Sequence, residues 1–332
     1  MFDPGLTRHN PLLSRPTNEH GFSLRSKICN SIANPSLPSL VATFIRDSIA
    51  SSTRTAYLSD LAHFERWGGC IPASEAMLAA YIAEHADSLA VATLVRRLAS
   101  ISKAHKVRNL PNPAQAELVR ATLRGIKRSK GTAQREAHPL VKEDLFAVLD
   151  AMGDTLKDAR DRALLLIGFA GGFRRSELIG LDLADIERVR QGIIIHLRRS
   201  KTDQAGAGRK IGIPLGRSRW CPVAALETWL LGSGITEGAV FRPIDRHGRM
   251  SNERLSGEGV SLVIKERVAA AGMDPAGFSG HSLRSGLATS ATQAGVSCWK
   301  IRQQTGHSSD AMLGRYVRSG ELFCDNAAGV LL

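Results

Sequence analysis

FSGHSLRSGLAT, residues 278–289, is the stretch on which the fold turns. Read as the start of a helix, it sets His281 and Arg284 three residues apart on one face, with Cβ atoms about 5–6 Å from each other. An arginine fork grips a phosphate in bidentate fashion, and the neighbouring imidazole adds a proton or a hydrogen bond. A helix N-terminus near His281 favours the same anion. Taken alone, the pair also reads as a surface arginine beside a capping histidine.

Working outward, three more segments carry groups of matching chemistry. In GGFRRSEL, Arg174 follows a Gly-Gly break and precedes Glu177 by three, so the acid can hold the guanidinium in place; an ordinary surface pair is the alternative. Lys201, in LRRSKTDQ, stands at the end of a β-branched run. A lysine on a hairpin can enter a cleft and deliver a proton, or can be a solvated turn residue. QTGHSSDAMLGRYVR holds His307 and Tyr316. Phenol is a poor nucleophile at its reference pKa of about 10, and Arg315 and Arg318 would favour phenolate. A tyrosine of an amphipathic core is the other reading.

Around these segments the chain alternates helical periods with one β-patterned stretch. Residues 1–35 hold four prolines and no sustained period, and read as a disordered arm. Helices are expected over 36–48, 53–67, 74–85, 90–105 and 112–127. Their inward positions include Tyr57, Leu61, Phe64, Leu78, Tyr81, Ile82, Leu94, Leu98, Ile101, Val119, Leu123 and Ile126. Asn112 and Pro113 open the last of these as N-cap and first helical residue. That makes a helical domain at 36–128, followed by a polar linker at 129–138 and a second domain at 139–332. In the second domain helices are expected at 141–152, 156–169, 174–180, 222–231, 255–271, 281–294, 297–305 and 309–317. Strands at 192–198 and 209–214 form a hairpin there. The fold class is mainly α with a small β-hairpin or sheet, the second domain being α+β.

The charge balance selects a partner class. The 332 residues carry 44 Lys and Arg against 31 Asp and Glu, a net charge of +13. Such an excess points to a polyanion, and nucleic acid is the commonest. Between Arg96 and Arg135 stand eleven basic residues and one acid, Glu117. Arg96, Arg97, Lys103, Lys106, Arg124, Lys127 and Arg128 are the candidates for contact with a DNA backbone, which supplies affinity rather than sequence choice. The longest apolar stretch, 163–173, falls short of the ~20 residues of a spanning helix. Five scattered cysteines without a CxxC spacing fit reduced thiols and a cytoplasmic setting. No P-loop, GxSxG or HExxH motif is present, so no metal and no cofactor is expected.

In order and context, Arg174, Lys201, His281, Arg284, His307 and Tyr316 resemble the tyrosine recombinase (phage integrase) family. GFRRSEL, GHSLRSGLAT, TGHSS and GRYVR carry the likeness, and STRTAYLSDLAHFERW resembles the family's core-binding start. The ending, AGVSCWKIRQQTGHSS through YVR, looks closest to the Cre-like branch. The resemblance implies a two-domain clamp on double-stranded DNA, with a helical core-binding domain and a catalytic domain. It implies site-specific recombination in a bacterial or phage-type, nucleoid-associated setting such as a mobile element. It implies that Tyr316 attacks the scissile phosphate to form a 3′-phosphotyrosyl bond, with the 5′-hydroxyl leaving and later attacking. Arg174 and Arg284 would stabilise the phosphate oxygens, with Glu177 behind Arg174. Lys201 would protonate the leaving oxygen, His281 would assist proton transfer and His307 would hydrogen-bond the phosphate. Residues 320–332, an apolar tail, would dock on a neighbouring subunit of a homotetramer, with packing back onto its own domain as the other reading. A DNA binder with a decayed site and a topoisomerase-like enzyme are the competing readings.

Overall fold

Apolar periodicity and helix stops act where the sequence puts them. The computed structural model describes residues 40, 43–44, 47–132, 137–198, 208–307, 309 and 313–314. The expectations for the 1–35 arm, Lys201, Tyr316 and the 320–332 tail lie outside those residues, as do most of those for 36–48 and 309–317. The chain divides into two units, Met1–Arg135 and Glu136–Leu332, and the division falls within the 129–138 segment.

The first unit is helical: α1 (Ser51–Trp67), α2 (Glu75–Glu84), α3 (Val91–Val107) and α4 (Glu117–Lys130). α1 stops at Gly68, whose left-handed backbone closes the last turn. The Ser74 hydroxyl caps α2 by accepting from the Met77 amide. Leu61, Phe64, Leu78, Tyr81, Ile82, Leu94, Leu98, Ile101, Val119 and Ile126 form the core, with Leu123 packed against it, whereas Tyr57 is half-buried. The single helix expected from Asn112 is two elements. Asn112 caps only a 3₁₀ turn, Pro113–Gln115, and Ala116 adopts extended backbone before α4 begins.

The second unit contains α5 (Lys142–Asp150), α6 (Leu156–Gly171), α7 (Arg175–Ile179), β1 (Ile186–Val189), β2 (Gly192–Leu197), β3 (Arg209–Pro214), α8 (Pro222–Ser233), α9 (Gly257–Ala270), α10 (Ser282–Gln293) and α11 (Cys298–Thr305). The sheet is antiparallel in the order β1-β2-β3, with Ile195 opposite Ile186 on one side and Ile211 on the other. The expected hairpin thus gains a third strand. Alternation puts Ile193, Ile195, Leu197, Ile211 and Ile213 into the core.

α6 is the central helix. Its residues 163–168 are all buried, and it packs against α8 and α10. It opens with a reciprocal cap: Thr155 Oγ1 accepts from the Asp158 amide at 3.2 Å, and Asp158 Oδ2 accepts from the Thr155 amide at 3.0 Å. It closes at Gly172, φ 57°, where a Cβ would lie 2.8 Å from Leu287 and 2.9 Å from the Thr305 side chain. Only glycine lets the end of α6 approach the end of α11 this closely. Thr155→Ala removes the cap, and urea unfolding should show the loss of about 1 kcal/mol typical of a lost N-cap.

Candidate active site

Two helix C-termini meet and hold a guanidinium between them. Arg284, in the first turn of α10, is 1% exposed. Its Nη1 donates to the Gly172 carbonyl at 2.8 Å and to the Thr305 carbonyl. The first carbonyl ends α6 and the second ends α11. Such carbonyls carry the negative end of the helix dipole and lack intrahelical partners, so a cation satisfies both needs. The planar fork is therefore fixed in orientation by backbone.

Arg174, the N-cap of α7, is held from two sides. Nη1 donates to Glu177 Oε1 at 2.7 Å, and Nη2 donates to the Gly306 carbonyl at 3.1 Å. Glu177 is buried and also accepts the Arg174 amide through Oε2 at 2.9 Å. The acid thus caps the short helix and orients the arginine in one arrangement. A second guanidinium reaches the same carboxylate: Arg209 Nη2 lies 3.3 Å from Glu177 Oε2. Arg209 Nη1 donates to the Gln304 carbonyl at 2.9 Å. Burial is the leading influence on Arg209, drawing its pKa below the usual arginine value. Arg209 starts β3, so it ties the strand that follows residues 199–207 to the end of α11.

His307 comes two residues after α11 and is 6% exposed. Its Nδ1 lies 2.7 Å from Thr305 Oγ1. Burial, then the charges of Arg284, Arg174, His281 and Arg209, push its pKa down to about 3. The ring is neutral at physiological pH. Gly306, φ 68°, lets the chain turn between helix and histidine, and a Cβ there would lie 2.5 Å from Arg209 Nη1. His281 is the exposed N-cap of α10, and its amide donates to Ser279 Oγ at 3.2 Å. The structure therefore brings Arg174, Glu177, Arg284 and His307 into one bonded network, and His281 opens the helix that carries Arg284. Lys201 and Tyr316 lie outside the described residues.

Arg209 and Thr305 join this network without having been singled out in the sequence. Arg209 reaches a carbonyl at the end of α11, and Thr305 supplies its carbonyl to Arg284 and its hydroxyl to His307, pairings that residue type does not encode. The one usable signal was the repeated Gly-Gly and Gly-His breaks at 171–172 and 306–307, which mark the two ends that meet.

In the first unit the basic candidates divide by position. Lys103 and Lys106 on α3, and Arg124, Lys127 and Arg128 on α4, are exposed. Arg124 also pairs with Glu117. Arg96 is half-exposed, and its fork holds the buried Asp60 at 2.9 and 2.8 Å. Arg97 is turned inward, where Nη1 donates to His63 Nδ1 at 2.8 Å and to the Tyr81 hydroxyl at 3.0 Å. Among the described residues no group of three or more His, Cys, Asp or Glu side chains is arranged to hold a metal, and no helix is long and apolar enough to cross a membrane.

Guanidiniums fixed by backbone carbonyls, beside a neutral imidazole, form a cationic site whose planar forks suit a phosphate-like anion. Residues 139–321 match the model of the phage integrase family. The chain is 39% identical over 295 residues to an integrase/recombinase xerD homolog of Selenomonas ruminantium, covering 85% of this chain and 86% of that one. It is 26% identical over 253 residues to the recombinase cre of Escherichia phage P1, covering 70% and 72%. In fold it is similar to the XerH site-specific recombinase bound to a palindromic difH substrate, with a TM-score of 0.64 and 18% identity over 96% of this chain and 91% of that one. The chain belongs to the phage integrase family of site-specific tyrosine recombinases.

The depressed His307 pKa makes a pH prediction. The unfolded chain takes up this proton near pH 6.5, whereas the folded chain refuses it until about 3. The contribution of His307 to stability is therefore full above about pH 6.5 and is lost as pH falls toward 3. Urea unfolding at pH 7.5 and 4.5 should show a smaller acid-induced loss for His307→Gln than for the wild type.

Proposed function

We propose that the chain cuts and rejoins double-stranded DNA by two transesterifications at the phosphate held between Arg174 and Arg284. The convergence of those two arginines and His307 at the ends of α6 and α11 is the observation that carries this reading. Tyr316 attacks the phosphorus, the bond to the 5′-oxygen breaks, and a 3′-phosphotyrosyl link forms. Lys201 gives its proton to the leaving oxygen. His281 assists proton transfer and His307 hydrogen-bonds the phosphate. A 5′-hydroxyl then attacks the phosphotyrosyl bond and releases the tyrosine. The link conserves the energy of the phosphodiester, so no nucleotide is consumed.

The residue types suit the step. Negative charge grows on the non-bridging oxygens of a pentavalent phosphorus, and planar forks match that geometry better than ammonium groups do. Because the forks are already bonded to carbonyls and to Glu177, little reorganisation remains for the moment of reaction. A lysine between β2 and β3 approaches the opposite oxygen from its own strand connection. The exposed cations of α3 and α4 suit the DNA backbone and provide affinity without sequence choice.

Assembly and location complete the proposal. Four copies act together on two duplexes, with the apolar 320–332 tail docking on a neighbouring copy. The enzyme works in the bacterial cytoplasm, at the nucleoid.

Tyr316→Phe should yield no covalent protein–DNA adduct under denaturing conditions while retaining near-normal DNA affinity in gel shifts. Adducts from this variant would remove Tyr316 from its role. Arg174→Lys should lose cleavage by about a hundredfold or more, the scale of one lost charge-stabilising donor, with a much smaller change in binding. Deleting residues 320–332 should weaken pairing of two DNA sites more than binding of one; an equal loss in both assays would contradict docking between copies.

A further inference from the structure

Thr305 is the last residue of α11 and is fully buried. Its hydroxyl lies 2.6 Å from the Ile301 carbonyl and 2.7 Å from His307 Nδ1. A hydroxyl has one proton to give and two lone pairs to receive with. The Ile301 carbonyl can only accept, so the proton is committed there. What the hydroxyl offers His307 is a lone pair, and Nδ1 must bring the hydrogen. A neutral imidazole has a single N–H. With that hydrogen on Nδ1, Nε2 presents its lone pair.

This tautomer matters for chemistry at an anion. An imidazole whose Nε2 already carries hydrogen can donate to a phosphate oxygen with no proton exchange. One whose Nε2 is bare cannot donate until it takes a proton. The charged and titratable groups around His307 among the described residues are Arg284 on α10, His281 at its N-cap, Arg174 at the start of α7 and Arg209 on β3, with Glu177 shared by the last two. Burial, and then their net positive field, keep the ring neutral when no anion is present. A phosphodiester offsets that field and raises the proton affinity of Nε2.

We infer that Thr305 is a positioning residue that locks His307 as the Nδ1–H tautomer, so that Nε2 acts as a proton acceptor when a phosphodiester enters the site. The proton comes from solvent, and no bond to phosphorus forms or breaks in this step. The new Nε2–H then donates to a phosphate oxygen, and the imidazolium adds one positive charge where the anion brings one negative charge. The inference rests on the reading that this site holds a phosphodiester. Thr305 also gives its carbonyl to Arg284. One residue thus orients the arginine through its backbone and the histidine through its side chain.

Nitrogen-15 spectra of histidine-labelled, full-length protein read the tautomer without DNA. His307 is assigned by the signals that disappear in His307→Gln. The wild type should show a pyrrole-like Nδ1 and a pyridine-like Nε2. Thr305→Val, of the same shape without the hydroxyl, should move the ring toward the other tautomer, and Thr305→Ser should restore the wild-type pattern. Adding random-sequence duplex DNA should shift Nε2 of the wild type toward its protonated position. With a cleavable substrate, Thr305→Val should cut on the order of tenfold more slowly at unchanged affinity, and Thr305→Ser at near the wild-type rate. A wild-type ring with hydrogen on Nε2, or a Thr305→Val ring that keeps the wild-type pattern, would overturn the lock. An Nε2 signal unmoved by bound DNA would overturn the acceptor role. The tautomer reading needs neither DNA nor cleavage: if the spectra match while the wild type never forms an adduct, the failure lies in the proposed recombination and the lock stands.

Discussion

A buried guanidinium between two helix ends is the constraint on which the second unit depends. Arg284 is nearly inaccessible to solvent, and an unpaired charge there would cost several kcal/mol. The carbonyls of Gly172 and Thr305 remove that cost, but only if α6 and α11 finish within reach of the same Nη1. Glycine at 172 permits the approach, because any side chain there would strike Leu287 and Thr305. The reciprocal cap at Thr155 fixes where α6 begins, and its buried run against α8 and α10 fixes its direction. The whole helix therefore serves to deliver one carbonyl.

From that junction the other groups take their places. Gly306 turns the chain beyond α11 and presents its carbonyl to Arg174. Glu177 balances Arg174 and Arg209 together, so two cations share one buried acid. The site carries an excess of positive charge, which adds to burial in keeping His307 neutral. An anion is what the arrangement accommodates. The same excess would be costly in a fold without a ligand, which is why stability and function meet at these residues.

The sequence made the helices legible because their apolar positions recur at helical spacing and their stops are explicit. Leu61 and Phe64, or Leu94, Leu98 and Ile101, could be placed inward from spacing alone, and Gly68 marked the end of α1. β1 was not legible: IERV carries two charged residues in four, and only pairing with β2 makes it a strand. The break at Ala116 was hidden because Asn112-Pro113 is an equally good start for a 3₁₀ turn. Arg174, His281, Arg284 and His307 could be found by residue type and order. Arg209 and Thr305 could not, since Arg209 depends on a carbonyl 95 residues away and Thr305 on a guanidinium 21 residues away, partners that only the folded chain brings near. The one-sided basic run between Arg96 and Arg135 pointed to a polyanion surface, but it could not reveal that Arg97 serves Tyr81 and His63 inside the unit.

In the proposed mechanism Arg174 and Arg284 offset charge on the non-bridging oxygens of a scissile phosphate. That role is tested most directly with a methylphosphonate at the position the wild type cuts, which removes one of those charges while keeping the bond to be broken. Arg174→Ala and Arg284→Ala, inactive on ordinary DNA, should form covalent adducts with the methylphosphonate substrate. Failure of that substrate to rescue either variant, with both shown to be folded and DNA-bound, would contradict that role.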